Sequence, residues 1–103
     1  MKFLNAKTYS GKEAWDAIDI AEIEGATVRL HWTDKPYIWH VNDGAEVFAV
    51  MDGQVEMRYR LKGAEHTRLM SAGDIFHAEA GDEHVAHPVG ETRILVIEKK
   101  GSV

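Results

Sequence analysis

The sequence predicts an all-β sandwich or barrel rather than a helical bundle, on two observations. From Thr27 to Glu98 apolar and polar residues alternate in short runs, and glycine-containing turn pairs break those runs at short intervals. Period-two alternation sends successive side chains to opposite faces of a strand, so each run offers one apolar face to a core and one polar face to water.

Taken in order, Lys12 to Glu24 is ambiguous. Ala14, Ala17 and Ala21 with Trp15 and Ile18 suit a helix, whereas Ile18 and Ile20 suit a strand. A strand is expected from Ala17 onward, and a short helical turn near the N-terminus stays open. Val28, Leu30 and Trp32 then alternate with Arg29, His31 and Thr33. Asp52-Gly53 separates the run Glu46 to Met51 from the run Gln54 to Leu61, and Asp-Gly accommodates the positive φ of a tight hairpin, so these runs are expected to pair. In the second run Val55, Met57, Tyr59 and Leu61 share a face. Lys62-Gly63, Gly73-Asp74, Gly81-Asp82 and Val89-Gly90 mark further turns, leaving strands near Thr67 to Met70, Ile75 to Glu79, His84 to Ala86 and Thr92 to Glu98. That spacing suits a jelly-roll barrel. Only Gly101 to Val103 is expected to fray.

The chain has 103 residues, enough for one continuous core, and a single domain is expected over 1–103 with its core at about 26–98. It has no cysteine, which excludes disulfides, thiolate metal sites and a cysteine nucleophile, so a metal must sit on nitrogen and oxygen. Seventeen acidic against twelve basic residues give a net charge of −5, which disfavours broad binding to nucleic acid or an anionic membrane. A small-molecule ligand or substrate is the expected partner. Met1 to Asn5 reads as neither a secretion signal nor a membrane span, so the expected location is cytoplasmic. No phosphate-binding glycine loop, serine nucleophile elbow or zinc-protease helix motif is present.

Six histidines leave metal chemistry open, because imidazole is the commonest transition-metal ligand. His40 and Glu46 are six positions apart, about 20 Å on a straight strand and too far to share an ion. Asn42-Asp43-Gly44 between them is strongly turn-forming, so His40 can end one strand and Glu46 begin the next. His84 follows the Gly81-Asp82 turn and reaches the same place only if the sheet closes on itself.

These residues resemble the two motifs of the cupin superfamily, G(X)5HXH(X)3–4E(X)6G and G(X)5PXG(X)2H(X)3N. His40, Glu46 and Gly53 match the first motif, and Gly73, Gly81 and His84 the second, with every spacing kept. The match covers Asp34 to Pro88, and Arg93 to Glu98 resembles the closing strand. Asp34, Glu79 and Pro88 replace a glycine, the proline and the asparagine, and Asn42 stands where the second histidine belongs. The resemblance implies a cupin double-stranded β-helix of six to ten strands, a homodimer, and a divalent transition metal (Fe, Mn, Ni, Zn or Cu). It carries His40, Glu46 and His84 over as metal ligands. Two histidines and a carboxylate suffice for a facial triad, and Asn42 can add an amide oxygen, a harder donor that weakens affinity for the later transition metals.

Plainer readings stand beside these. His40, Glu46 and His84 could simply hydrogen-bond to one another in a polar cavity. His77 shares a face with Ile75 and Glu79 and is either a structural histidine, the favoured reading, or a fourth ligand or catalytic base. His87 faces away from His84, His31 has no partner spacing, and His66 is expected on a solvated turn. Trp32, Tyr37 and Trp39 are read as packing rather than a ligand wall, and Arg29, Arg58 and Arg60 as a solvated face or a carboxylate clamp. The functional expectation is a metal-dependent oxygenase, isomerase or lyase acting on a small polar molecule. The alternatives are a non-catalytic binding module with a weak metal site, and, last, a metal-free epimerase using His77 with Glu79.

Overall fold

The computed structural model describes residues 1–102; the expected fraying at Val103 falls outside them. After a single 3₁₀ turn at Ala6–Thr8, seven strands follow: β1 (Asp16–Ile23), β2 (Ala26–Thr33), β3 (His40–Val41), β4 (Glu46–Leu61), β5 (Ala64–Ser71), β6 (Ile75–Ala78) and β7 (Glu83–Lys99). All pairings are antiparallel, in the order β1-β2-β7-β4-β5, with β3 on β7 and β6 on β4. The ambiguous Lys12 to Glu24 segment thus resolves to a strand, and the helical turn lies further upstream.

Two long strands organise the barrel. β4 pairs with β6 through its first half and with β5 through its second, and β7 runs beside both halves from Glu98 back to Glu83. This corrects the hairpin expected at Asp52-Gly53: the two runs are one strand, bent by a bulge where the register jumps from Asp52↔Arg93 to Gln54↔Val89. Gly53 has φ +84°, and a Cβ there would lie 2.6 Å from the Glu91 carbonyl oxygen. The positive φ read as a hairpin therefore serves a bulge, which lets a strand bend without breaking. The turn expected at Val89-Gly90 is corrected likewise: β7 continues through it, with Gly90 at φ +73° among the residues of β7 that lie opposite Gly53 where the register shifts. Lys62-Gly63 does make a tight hairpin, both residues at positive φ between Leu61 and its partner Ala64.

The alternation read in the sequence builds the core. Val55 and Met57 on β4 are fully buried with Phe48, Val50, Met70, Ala86, Ile94 and Val96, each worth roughly 1.5–3 kcal/mol where the buried side chain is large. Arg93 pins the N-terminal segment to the bulge, donating to the Tyr9 carbonyl at 2.8 Å, Ser10 Oγ at 3.1 Å and Asp52 Oδ2 at 3.2 Å. Among the described residues no helix is long and apolar enough to cross a membrane.

Candidate metal centre

Three strands bring the site together. β3 pairs with β7 so that His40 stands directly opposite His84. The chain between β3 and β4 is held by Asn42, whose N–H donates to the Asp82 carbonyl at 2.9 Å and whose carbonyl accepts from Gly81 N–H at 2.8 Å. The Asn42 bend is thereby fastened to the Gly81-Asp82 turn, so the two turns that flank the ligands form one unit. Glu46 then opens β4, opposite Ala78 on β6 and Glu98 on β7. His40, Glu46 and His84 each offer one ligand atom, all within 4.8 Å of one another. Two atoms bound to one ion at about 2.0–2.2 Å can be at most about 4.4 Å apart, so small inward rotations close the set.

The polar atoms fit a cation. A carbonyl only accepts, so the 3.1 Å contact of His40 Nδ1 with the Ile38 carbonyl puts the proton on Nδ1 and leaves Nε2 a bare lone pair. That Nε2 is buried without a partner, as is Glu46 Oε1, whose residue is 7% exposed. Asn42 Nδ2 donates to the Gly44 carbonyl, which turns Oδ1 toward His84 Nε2 at 2.6 Å; an amide oxygen only accepts, so Nε2–H donates to it and Nδ1 is left unpartnered, and a metal at Nε2 would take the place of that proton. Glu46 Oε1 lies 3.2 Å from the same nitrogen, but not aligned as a hydrogen bond. Asn42 thus faces the cluster, with its oxygen inward. Burial pushes the Glu46 carboxyl up, yet contacts with His84, Glu98 and Asn42 outweigh it and hold Glu46 below the usual range. Glu98 is pushed up to about 8, first by burial and then by the neighbouring Glu46.

The cluster opens into a cavity of about 260 Å³. Trp15, Tyr37 and Phe48 line it, with Arg29, His31, Glu98 and Ser102 further round. Tyr37 stands edge-on to His40 at 5.5 Å and to Trp15 at 5.2 Å, so one of the three aromatics assigned to packing is a wall of the site. Trp32 is core, and Trp39 lies under the Arg60 guanidinium at 3.9 Å. His31 holds the Trp15 carbonyl through Nδ1, and burial, aided by Arg29, depresses its pKa. Ser102, expected to fray, is tied to Asp43 Oδ1 at 2.8 Å.

Other candidates lie elsewhere. His77 is exposed and lines a separate cleft with Asp74, Ile75 and Met70; Phe76, one residue earlier, faces His84 at 5.0 Å. The registers Phe48↔Phe76 and Glu46↔Ala78 put the even-numbered β6 residues inward, so His77 and Glu79 sit on the outer face, away from the cavity. His66 is on β5, stacked on Tyr59, rather than on a turn. Arg58 and Arg60 pair with Glu56 and Glu83 on a partly exposed face, and Arg29 pairs with Asp19. Sequence reading missed Glu98, His31 and Trp15 as site residues, because only the strand register brings them to the cavity.

No protein-family model matches the chain, and no curated protein matches it. Solved structures do. A cupin-2 domain protein from Shewanella frigidimarina is 26% identical, with TM-score 0.77, over 87% of this chain and 85% of the other. A cupin superfamily protein from Desulfitobacterium hafniense superposes at TM-score 0.79 with 13% identity, over 95% and 90%. A hydroquinone 1,2-dioxygenase crystallised with Fe3+ matches at TM-score 0.74 and 18% identity, over 87% of this chain but 29% of that one. Fold and site together define an all-β barrel with a histidine–glutamate cluster at one mouth. The chain has the cupin fold, a double-stranded β-helix.

Proposed function

We propose that the chain is a single cupin domain in which His40, Glu46 and His84 hold a divalent transition metal, Fe, Mn, Ni, Zn or Cu, with Asn42 Oδ1 as an additional oxygen donor. The observation that carries this is the pair of buried, unpartnered atoms, His40 Nε2 and Glu46 Oε1, converging with His84. Buried polar atoms without partners are costly, and a cation satisfies both.

The cavity then admits a small polar molecule, and the reaction class is a metal-dependent oxygenation, isomerisation or elimination. When bound, the metal supplies Lewis-acid polarisation of a substrate oxygen or activation of dioxygen. The chain's own residues position the substrate: Trp15, Tyr37 and Phe48 exclude water and stack on its apolar part, while Arg29 and Ser102 lie at the cavity wall to meet polar substituents. A second reading, a non-catalytic module that binds a small ligand with a weak metal site, is favoured by Asn42 standing in place of a third imidazole.

The proposed setting is a homodimer in the cytoplasm, without nucleic-acid or membrane partners. The net negative charge suits neither polyanion. Titration calorimetry of the metal-free protein with each of the five cations tests the reading. One-to-one binding of at least one is expected, and no binding by any overturns it.

A further inference from the structure

We infer that Glu98 is a further oxygen ligand of this centre, making it a two-histidine, two-carboxylate site suited to harder divalent cations such as Mn2+ or Fe2+. The inference rests on the metal reading above and names the ion class that reading leaves open.

Glu98 and Glu46 are directly opposed in the β4–β7 register. Residues opposed across an antiparallel pair project to the same face with Cβ atoms about 4.5–5.5 Å apart, and like charges placed so destabilise a sheet. Both side chains line the cavity. Among the described residues neither nearby cation forms an ion pair with Glu98: Arg29, which also lines the cavity, pairs with Asp19 at 2.8 Å, and Lys100 pairs with Glu22 at 3.2 Å. Glu46 keeps a buried, unpartnered Oε1 toward the histidines. An acidic pair retained at this depth, beside two imidazoles, is a donor set for a cation.

The chemistry of the set is specific. Asn42 supplies a neutral oxygen where an imidazole would favour later metals, and Glu98 adds a second anionic oxygen. Carboxylate and carbonyl oxygens suit Mn2+, imidazole suits Fe and Zn, and a mixed set with two carboxylates moves the preference away from Zn2+ and Cu2+. Glu98 is half-buried and lies outside the three-residue cluster, so it joins by rotating its side chain about the Cβ–Cγ stem toward Glu46.

The test is Mn2+ titration of the metal-free protein followed by electron paramagnetic resonance, with Zn2+ competition, for the native chain and for Glu98→Gln, Glu98→Asp and His84→Ala. Thermal melts report folding. Both Glu98 variants are expected to weaken Mn2+ by at least about tenfold, and Zn2+ by less. Asp keeps the charge but is one methylene short, so a purely electrostatic role would leave its Mn2+ affinity intact. Native affinity in Glu98→Asp, or in Glu98→Gln, overturns the inference while leaving the metal centre standing. If Glu98→Gln does not fold, Glu98→Asp decides. Mn2+ binding that is undiminished in His84→Ala, or absent from the native chain, overturns the assignment of this ion to this centre, and binding of another cation that needs His84 preserves the broader metal reading.

Discussion

His40 and His84 face each other across the β3–β7 pair, with ring centroids 4.3 Å apart and planes at 64°. The two imidazoles are therefore set by strand register rather than by a mobile loop, and Asn42 is buried beside them with its oxygen 2.6 Å from His84 Nε2. Rigid elements hold a donor set to tighter tolerance than loops do.

Asn42→His adds an imidazole at that position. Zn2+ and Ni2+ affinity is expected to rise by about tenfold or more, because nitrogen suits these ions better than an amide oxygen. Competition against a calibrated chelator measures it, and unchanged affinity would place the Asn42 side chain outside the coordination sphere.

The metal-free protein should be most stable over a limited pH range. Burial depresses the His31 pKa below its ordinary 6.5, so the unfolded chain takes up a proton there that the folded chain resists, and stability falls as pH drops below about 6.5. Glu98 has the opposite sign. Raised from 4.5 to about 8, it keeps a proton in the folded chain that the unfolded chain has released, so stability falls as pH climbs from about 5 to about 8. Urea unfolding at a series of pH values should show His31→Gln flattening the acid side and Glu98→Gln flattening the alkaline side.

Gly53→Ala tests the bulge at which β4 passes from pairing with β6 to pairing with β5. Its φ is +84° and its new Cβ would meet the Glu91 carbonyl oxygen at 2.6 Å, so a loss of more than about 2 kcal/mol is expected. Gly90→Ala is the control: φ is +73° but nothing lies within 4 Å, leaving only the backbone cost of about 1–2 kcal/mol. Equal losses at the two positions would argue against the close approach.

Arg93→Met keeps the stem and removes the three hydrogen bonds to Tyr9, Ser10 and Asp52. Chemical denaturation should show a loss of about 1–3 kcal/mol. Limited proteolysis should cut before Tyr9 faster than in the native chain, and an unchanged digestion pattern would mean that other contacts hold the segment.

Much of this was legible in the residues. Val55 and Met57 alternate with polar neighbours and are both core, and Lys62-Gly63 is the hairpin its composition indicates. The spacings from His40 to Glu46 and from Gly81 to His84 pointed to side chains that do converge. Asp52-Gly53 misled because a positive-φ glycine serves a bulge as well as a hairpin, and local sequence does not say which. Glu98, His31 and Trp15 were invisible for a different reason. Their place in the cavity depends on how β7, β2 and the start of β1 register against β4, and no local motif marks a cross-strand neighbour. His77 shows the same limit, since a strand's inward face follows from pairing that its four residues do not encode.

The central claim is the metal site, and its most direct test is elemental analysis of the purified, untagged protein by plasma mass spectrometry, beside His84→Ala. The account predicts close to one transition-metal ion per subunit in the native chain and its loss in the variant with the fold intact. Equal metal content in the two proteins, or a native chain that stays metal-free after reconstitution with each candidate ion, would contradict it.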